Sequence, residues 1–131
     1  FKKDTNDTRE SSAIYVADQL LNEGANIVVY DPKVKSERII ADITMLNEYK
    51  GFDKDEIDEK VKRISFQKKY LDACNNSHAI AIMTEWDEFK AFDWEIIYKK
   101  IKKPAYIFDG RNILNSINIK KLGFNYIGLG R

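Results

Sequence analysis

Two stretches of this sequence combine residue types that can hold an anion. The first is Phe1-Lys2-Lys3-Asp4-Thr5-Asn6-Asp7-Thr8-Arg9-Glu10-Ser11, which gathers cations and hydroxyls just ahead of a helical pattern. Free amide groups at a helix amino-terminus, with Lys and Arg nearby, suit a phosphate. A polar capping loop accounts for the same letters. The second stretch is Asp109-Gly110-Arg111, directly after an apolar run. Gly110 lets the backbone turn or approach a ligand closely, and Arg111 offers a planar fork of donors for a diphosphate or for sugar hydroxyls. A plain turn with a surface arginine is the competing reading.

Other suggestive residues carry less. Cys74 ends a short helical stretch without a neighbouring base to generate thiolate, so a structural role is expected rather than a nucleophile. His78 is the one histidine of the chain, and one histidine makes no zinc site. Asp53-Lys54-Asp55-Glu56-Ile57-Asp58 looks like calcium chemistry, but Ile57 and Asp58 stand where an EF-hand loop needs an oxygen ligand and a glycine. Gly128-Leu129-Gly130 lacks the helix that must follow a dinucleotide fingerprint. Trp86, Trp94, Phe89 and Phe92 read as packing. No catalytic residue and no metal ligand is therefore assigned within the chain.

With 131 residues, one domain with its own core is expected. A content of 44% hydrophobic and 33% charged residues excludes a disordered chain. The net charge of +1 gives no field for attracting nucleic acid or an anionic membrane. The Lys99, Lys100, Lys102, Lys103 cluster reads as a solvated helix end, favoured by the helix dipole. No apolar run approaches the roughly 18 residues needed to span a bilayer, no signal peptide is recognisable, and the lone cysteine suits a reducing compartment. A cytoplasmic location is expected.

The elements that must position these residues follow from periodicity. Asp7 or Thr8 can cap a first helix, with Glu10 completing a capping box. In that helix Ile14, Ala17, Leu20 and Leu21 form the inner stripe, and Asp18 and Gln19 face outward. Gly24 ends it. Ile27 to Tyr30 reads as a strand buried on both faces, closed by Asp31-Pro32. Ile39, Ile40, Ile43 and Leu46 suggest one amphipathic helix, and Ile57, Val61 and Ile64 a second. Tyr70 to Cys74 suggests a short helix, His78 to Met83 a strand, and Trp94, Ile97 and Ile101 another helix ending at Lys103-Pro104. Ala105 to Phe108 reads as a buried strand. Leu122-Gly123-Phe124 closes a last helical turn, and Tyr126-Ile127-Gly128 a last strand. Alternating helices and strands predict an α/β fold with a mostly parallel sheet. Ligands bind such sheets beyond the carboxyl ends of the strands, where Asp31, Thr84-Glu85-Trp86 and Asp109-Gly110-Arg111 fall.

The opening segment, together with Ile27-Val28-Val29-Tyr30-Asp31-Pro32-Lys33-Val34, Thr84-Glu85-Trp86-Asp87-Glu88-Phe89 and Ile107-Phe108-Asp109-Gly110-Arg111-Asn112, resembles the carboxyl-terminal UDP-binding domain of the UDP-glucose/GDP-mannose dehydrogenase family. The resemblance runs from residue 1 to about Gly130 and is to the UDP-glucose 6-dehydrogenases within it. It implies a Rossmann-like three-layer domain over residues 1–131, with a mostly parallel sheet whose first strand is truncated. It implies NAD as cofactor, held mainly by an amino-terminal domain that this chain lacks, as it lacks the central helix. UDP-glucose, oxidised to UDP-glucuronate in two NAD-dependent steps, is the implied substrate, and a homo-oligomer the implied assembly. Residue by residue, Phe1, Lys2 and Arg111 match the substrate-binding positions, and Arg9 matches an arginine reaching towards NAD. The family's catalytic cysteine lies upstream of Phe1, and Cys74 inherits no role from it. The isolated chain is therefore expected to be inactive as a dehydrogenase.

Two alternatives stay open. One is a sister enzyme acting on GDP-mannose or a UDP-N-acetylhexosamine. The other is a non-catalytic α/β regulatory module with Asp31 or Asp109 as phosphoacceptor.

Overall fold

The computed structural model describes residues 12–128. The chain divides into two compact units between Lys68 and Lys69. The amino-terminal one contains α1 (Ser12–Asn22), β1 (Ile27–Val29), α2 (Ser36–Tyr49), α3 (Lys54–Val61) and β2 (Ile64–Phe66). The second contains α4 (Tyr70–Cys74), β3 (Ala79–Ile82), a 3-10 turn (Asp87–Ala91), α5 (Trp94–Lys100), β4 (Tyr106–Asp109), α6 (Ser116–Leu122) and β5 (Asn125–Gly128). Every strand pair is parallel, in two sheets: β1 with β2, and β3-β4-β5. The expected α/β, Rossmann-like class is borne out. The predicted caps Asp7 and Thr8 lie outside the described residues. No described helix is long and apolar enough to cross a membrane.

In the amino-terminal unit, Ile14, Leu21, Val34, Ile39, Ile43 and Ile64 form the core. Each such burial stabilises the fold by about 1.5–3 kcal/mol relative to exposure. The expectation for Asp18 is corrected here. Asp18 is fully buried, on the same stripe of α1 as Ile14 and Leu21. A buried carboxylate survives only when its oxygens are satisfied, and three side chains satisfy this one. Asn47 Nδ2 donates to Asp18 Oδ1 at 2.8 Å. Lys60 Nζ lies 2.9 Å from Oδ1, and Lys50 Nζ 2.6 Å from Oδ2. Lys60 also donates to Asn47 Oδ1 at 2.5 Å, and Asn47 Nδ2 to the Ile43 carbonyl at 2.8 Å. One carboxylate thus ties α1 to α2 and α3. Arg63 adds a second tie, donating to the carbonyls of Leu21 and Ala25 at 2.8 and 2.6 Å, where the last carbonyls of α1 run out of internal donors.

The acidic run at 53–58 has a structural purpose. Asp53 accepts from the Glu56 amide, and the Glu56 side chain accepts from the Asp53 amide, a reciprocal capping box that starts α3. Ile64, read as helical, instead opens β2, which pairs Ile27↔Ile64 through Val29↔Phe66. It stands seven residues after Ile57, so a helical period catches it by coincidence.

The expectation of strands buried on both faces is also corrected. Val28 is exposed, and in β4 the buried Ile107 and Asp109 alternate with exposed Tyr106 and Phe108. One face of the β3-β4-β5 sheet carries the buried Ile107, Asp109 and Tyr126, and the other carries Tyr106, Phe108 and Ile127 outward. An aromatic cluster is buried in the same unit. Within the cluster, the Trp94 and Phe124 rings meet edge-on at 6.1 Å, and Tyr98 and Phe124 at 5.1 Å. Trp86 and Phe89 are buried as well, as their packing role requires. Gly123 ends α6 at φ 116°, and a Cβ there would sit 2.6 Å from the Tyr98 ring. The Lys cluster is a helix end as expected. Lys99 and Lys100 occupy the last turn of α5, and Lys103 donates to the carbonyls of Tyr98 and Ile101.

Candidate functional site

The carboxyl ends of β3, β4 and β5 are level, since Ile82 pairs with Asp109 and Asp109 with Gly128. The chain leaves β4 through Gly110, whose amide donates to the Ile82 carbonyl at 2.9 Å. A Cβ on Gly110 would lie 3.0 Å from that same oxygen, so the tight turn favours glycine. Asp109 then fixes the loop. Its carboxylate is 1% exposed and accepts from the Arg111 amide at 3.2 Å, the Leu114 amide at 3.0 Å and the Tyr126 hydroxyl at 2.8 Å. Asn112 takes a positive φ of 54° inside this bend. The loop is therefore held from within by one buried side chain.

Arg111 is the side chain this framework presents. Its Nε donates to the Met83 carbonyl at 3.1 Å, just past β3, and its Nη1 lies 3.6 Å from Glu85 Oε1. Thr84 and Trp86 are buried on either side of Glu85, so the triplet turns Glu85 alone outward. Among the described residues Nη2 has no partner. The arrangement offers a pre-aimed guanidinium with donors to spare, beside a carboxylate, at the strand ends where parallel sheets bind ligands.

The remaining predicted site residues divide clearly. Phe1, Lys2 and Arg9 lie outside the described residues. Asp31 accepts from the Lys33 and Val34 amides at 2.8 and 2.9 Å and so serves its own turn. Asp109 is similarly consumed by its loop, which removes the observation favouring a phosphoacceptor. Cys74 is half-buried and burial pushes its thiol up to about 11, the opposite of an activated nucleophile. His78 is exposed at the entry to β3. Among the described residues no group of His, Cys, Asp and Glu is placed to hold a metal. No described strand-to-helix connection carries more than the single Gly110, so none fits the pyrophosphate of a dinucleotide, which needs several glycines. Sequence reasoning missed the pairing of Glu85 with Arg111. The signal was the triplet itself, one charged residue between two that must be buried.

Residues 1–116 match the family model described as "UDP-glucose/GDP-mannose dehydrogenase family, UDP binding domain". The chain is similar over its whole length to the UDP-glucose 6-dehydrogenases of Bos taurus, at 44% identity, and Gallus gallus, at 45%. It is similar in the same way to UDP-glucose 6-dehydrogenase 4 of Arabidopsis thaliana, at 41%. The chain spans 26% of the length of the two animal proteins and 28% of the plant one.

Proposed function

The chain belongs to the UDP-glucose/GDP-mannose dehydrogenase family, matching its UDP-binding domain, and on that premise we propose that it binds the UDP portion of UDP-glucose for a UDP-glucose 6-dehydrogenase. In this reading residues 1–131 are the carboxyl-terminal domain, and the NAD-binding domain and central helix belong to other parts of the enzyme. The observation that carries it is the Arg111 guanidinium, aimed from a rigid Asp109-Gly110 turn at the carboxyl ends of β3 and β4. Phe1 and Lys2 would form a second wall of the substrate site, and Arg9 would reach towards NAD. NAD, when bound, supplies the hydride acceptor. This chain's share is to grip and orient the nucleotide. The single thiol suits a cytoplasmic setting.

The test is a titration of the chain with UDP-glucose, followed by amide chemical shifts. Shifts should centre on Arg111 and its neighbours, GDP-mannose should produce none at equal concentration, and Arg111→Ala should weaken binding about tenfold or more. Equal response to GDP-mannose, or undiminished binding in Arg111→Ala, would overturn the reading. Purified chain should show no NAD reduction with UDP-glucose, because the nucleophile the chemistry needs is not among its residues.

A further inference from the structure

The Arg111 guanidinium does not wait unoccupied for a ligand. Nε is spent on the Met83 backbone, which fixes the direction of the side chain, while Nη1 faces the Glu85 carboxylate at 3.6 Å. The two contacts differ in kind. The first is a hydrogen bond to a carbonyl and can persist when a ligand arrives. The second sets a negative charge against Nη1, one nitrogen of the fork that an anion would take. Glu85 is 47% exposed, so it is free to swing away without unpacking Thr84 or Trp86. We propose that Glu85 is a built-in competitor at the Arg111 site, holding the guanidinium when no ligand is bound and weakening ligands in proportion to their negative charge.

The proposal rests on the reading of Arg111 as a UDP-sugar ligand. Glu85 is a positioning residue, acting through Arg111. Its charge acts on the site in two ways. A ligand must displace the carboxylate from Nη1, and the displaced carboxylate then repels the bound diphosphate at short range. Both penalties vanish in Glu85→Gln, which keeps the size of the side chain at a half-exposed position where it should fold normally. In Glu85→Asp the carboxylate is drawn back by one methylene from Nη1, and the repulsion remains.

The experiment compares the wild-type chain, Glu85→Gln and Glu85→Asp by two readouts. The first, without ligand, is the NMR signal of the Arg111 guanidinium, which should move in Glu85→Gln. The second is affinity for UDP-glucose and for UDP at pH 8, where the free terminal phosphate of UDP adds a charge. Glu85→Gln should tighten UDP-glucose about threefold and UDP about tenfold, whereas Glu85→Asp should keep the wild-type ratio. An unchanged ratio in Glu85→Gln, or weaker binding of both ligands, sinks the proposal. If wild-type chain binds neither ligand, it is the UDP-binding reading that fails. The Arg111 signal alone then decides whether Glu85 holds the guanidinium, and an unmoved signal in Glu85→Gln rejects that too.

Discussion

Asp18→Ala is expected to destabilise the amino-terminal unit by about 3–5 kcal/mol, the range for breaking a buried ion pair from one side. The cost arises from what is left behind more than from what is removed. Lys60 is 5% exposed and Asn47 fully buried, so the variant strands an ammonium group and an amide in the core. Losing that amount from a fold whose total stability is typically about 5–15 kcal/mol brings unfolding within easy reach. Urea denaturation read by circular dichroism measures it. Replacing both charges, in Asp18→Leu with Lys60→Met, should recover most of the loss, because an apolar pair of similar volume is often as stable as the ion pair it replaces. If the double variant is no better than Asp18→Ala, the network has another function than neutralising Lys60.

The same site has a pH signature. Burial pushes the Asp18 carboxyl up, but hydrogen bonds from Lys50, Asn47 and Lys60, with the charge of Lys60, together hold it below the ordinary carboxylate range. A depressed value means that folding favours the ionised form. The contribution is fully present above the unfolded value of about 3.9 and is lost as pH falls through the folded one. Wild type and Asp18→Ala should therefore differ most near neutrality and converge in acid.

Asp109→Ala is the second large effect, because it acts on stability and on binding together. It leaves the Leu114 amide, the Arg111 amide and the Tyr126 hydroxyl without their acceptor, at about 1–3 kcal/mol for each group that stays buried. The Arg111 loop loses its internal support, so UDP-glucose affinity should fall about as far as in Arg111→Ala, although the Asp109 carboxylate is spent inside the loop. Tyr126→Phe removes one of the three bonds and should cost about 1 kcal/mol while leaving affinity near wild type. Calorimetry for both variants, alongside the titration, checks this. Full affinity in a folded Asp109→Ala protein would show that Arg111 is aimed by Met83 alone.

The helices were legible because their apolar spacing and their ends obey local rules. Gly24 and Gly123 take a positive φ at the ends of α1 and α6, where their residue type alone marks the stop. Asp18 was not legible. Its neighbours Ala17 and Gln19 gave no hint that Asn47 and Lys60, 29 and 42 positions later, would converge on it, and polarity alone assigns a carboxylate to solvent. The same limit hid β2. Three residues give no period to count, and Ile64 joins a sheet only because Ile27 lies opposite. At the site, the Asp109-Gly110-Arg111 letters suggested a ligand-facing turn. They could not reveal that the aspartate would face inward while the arginine faced Glu85, since that follows from which side of β4 is covered.

Each sheet is built from one uninterrupted stretch of chain, β1 and β2 before Lys68 and β3 to β5 after it. On a ribosome this becomes an order of events. Once Phe66 has emerged, β1 has its partner and the Asp18 network has all its members, Lys60 being the last. At roughly 5–20 residues per second, the first sheet has several seconds to pair while β5 is still being made. The buried carboxylate is then neutralised before the second half of the chain can compete for it, and the Arg111 turn is completed last, when Tyr126 arrives to close it.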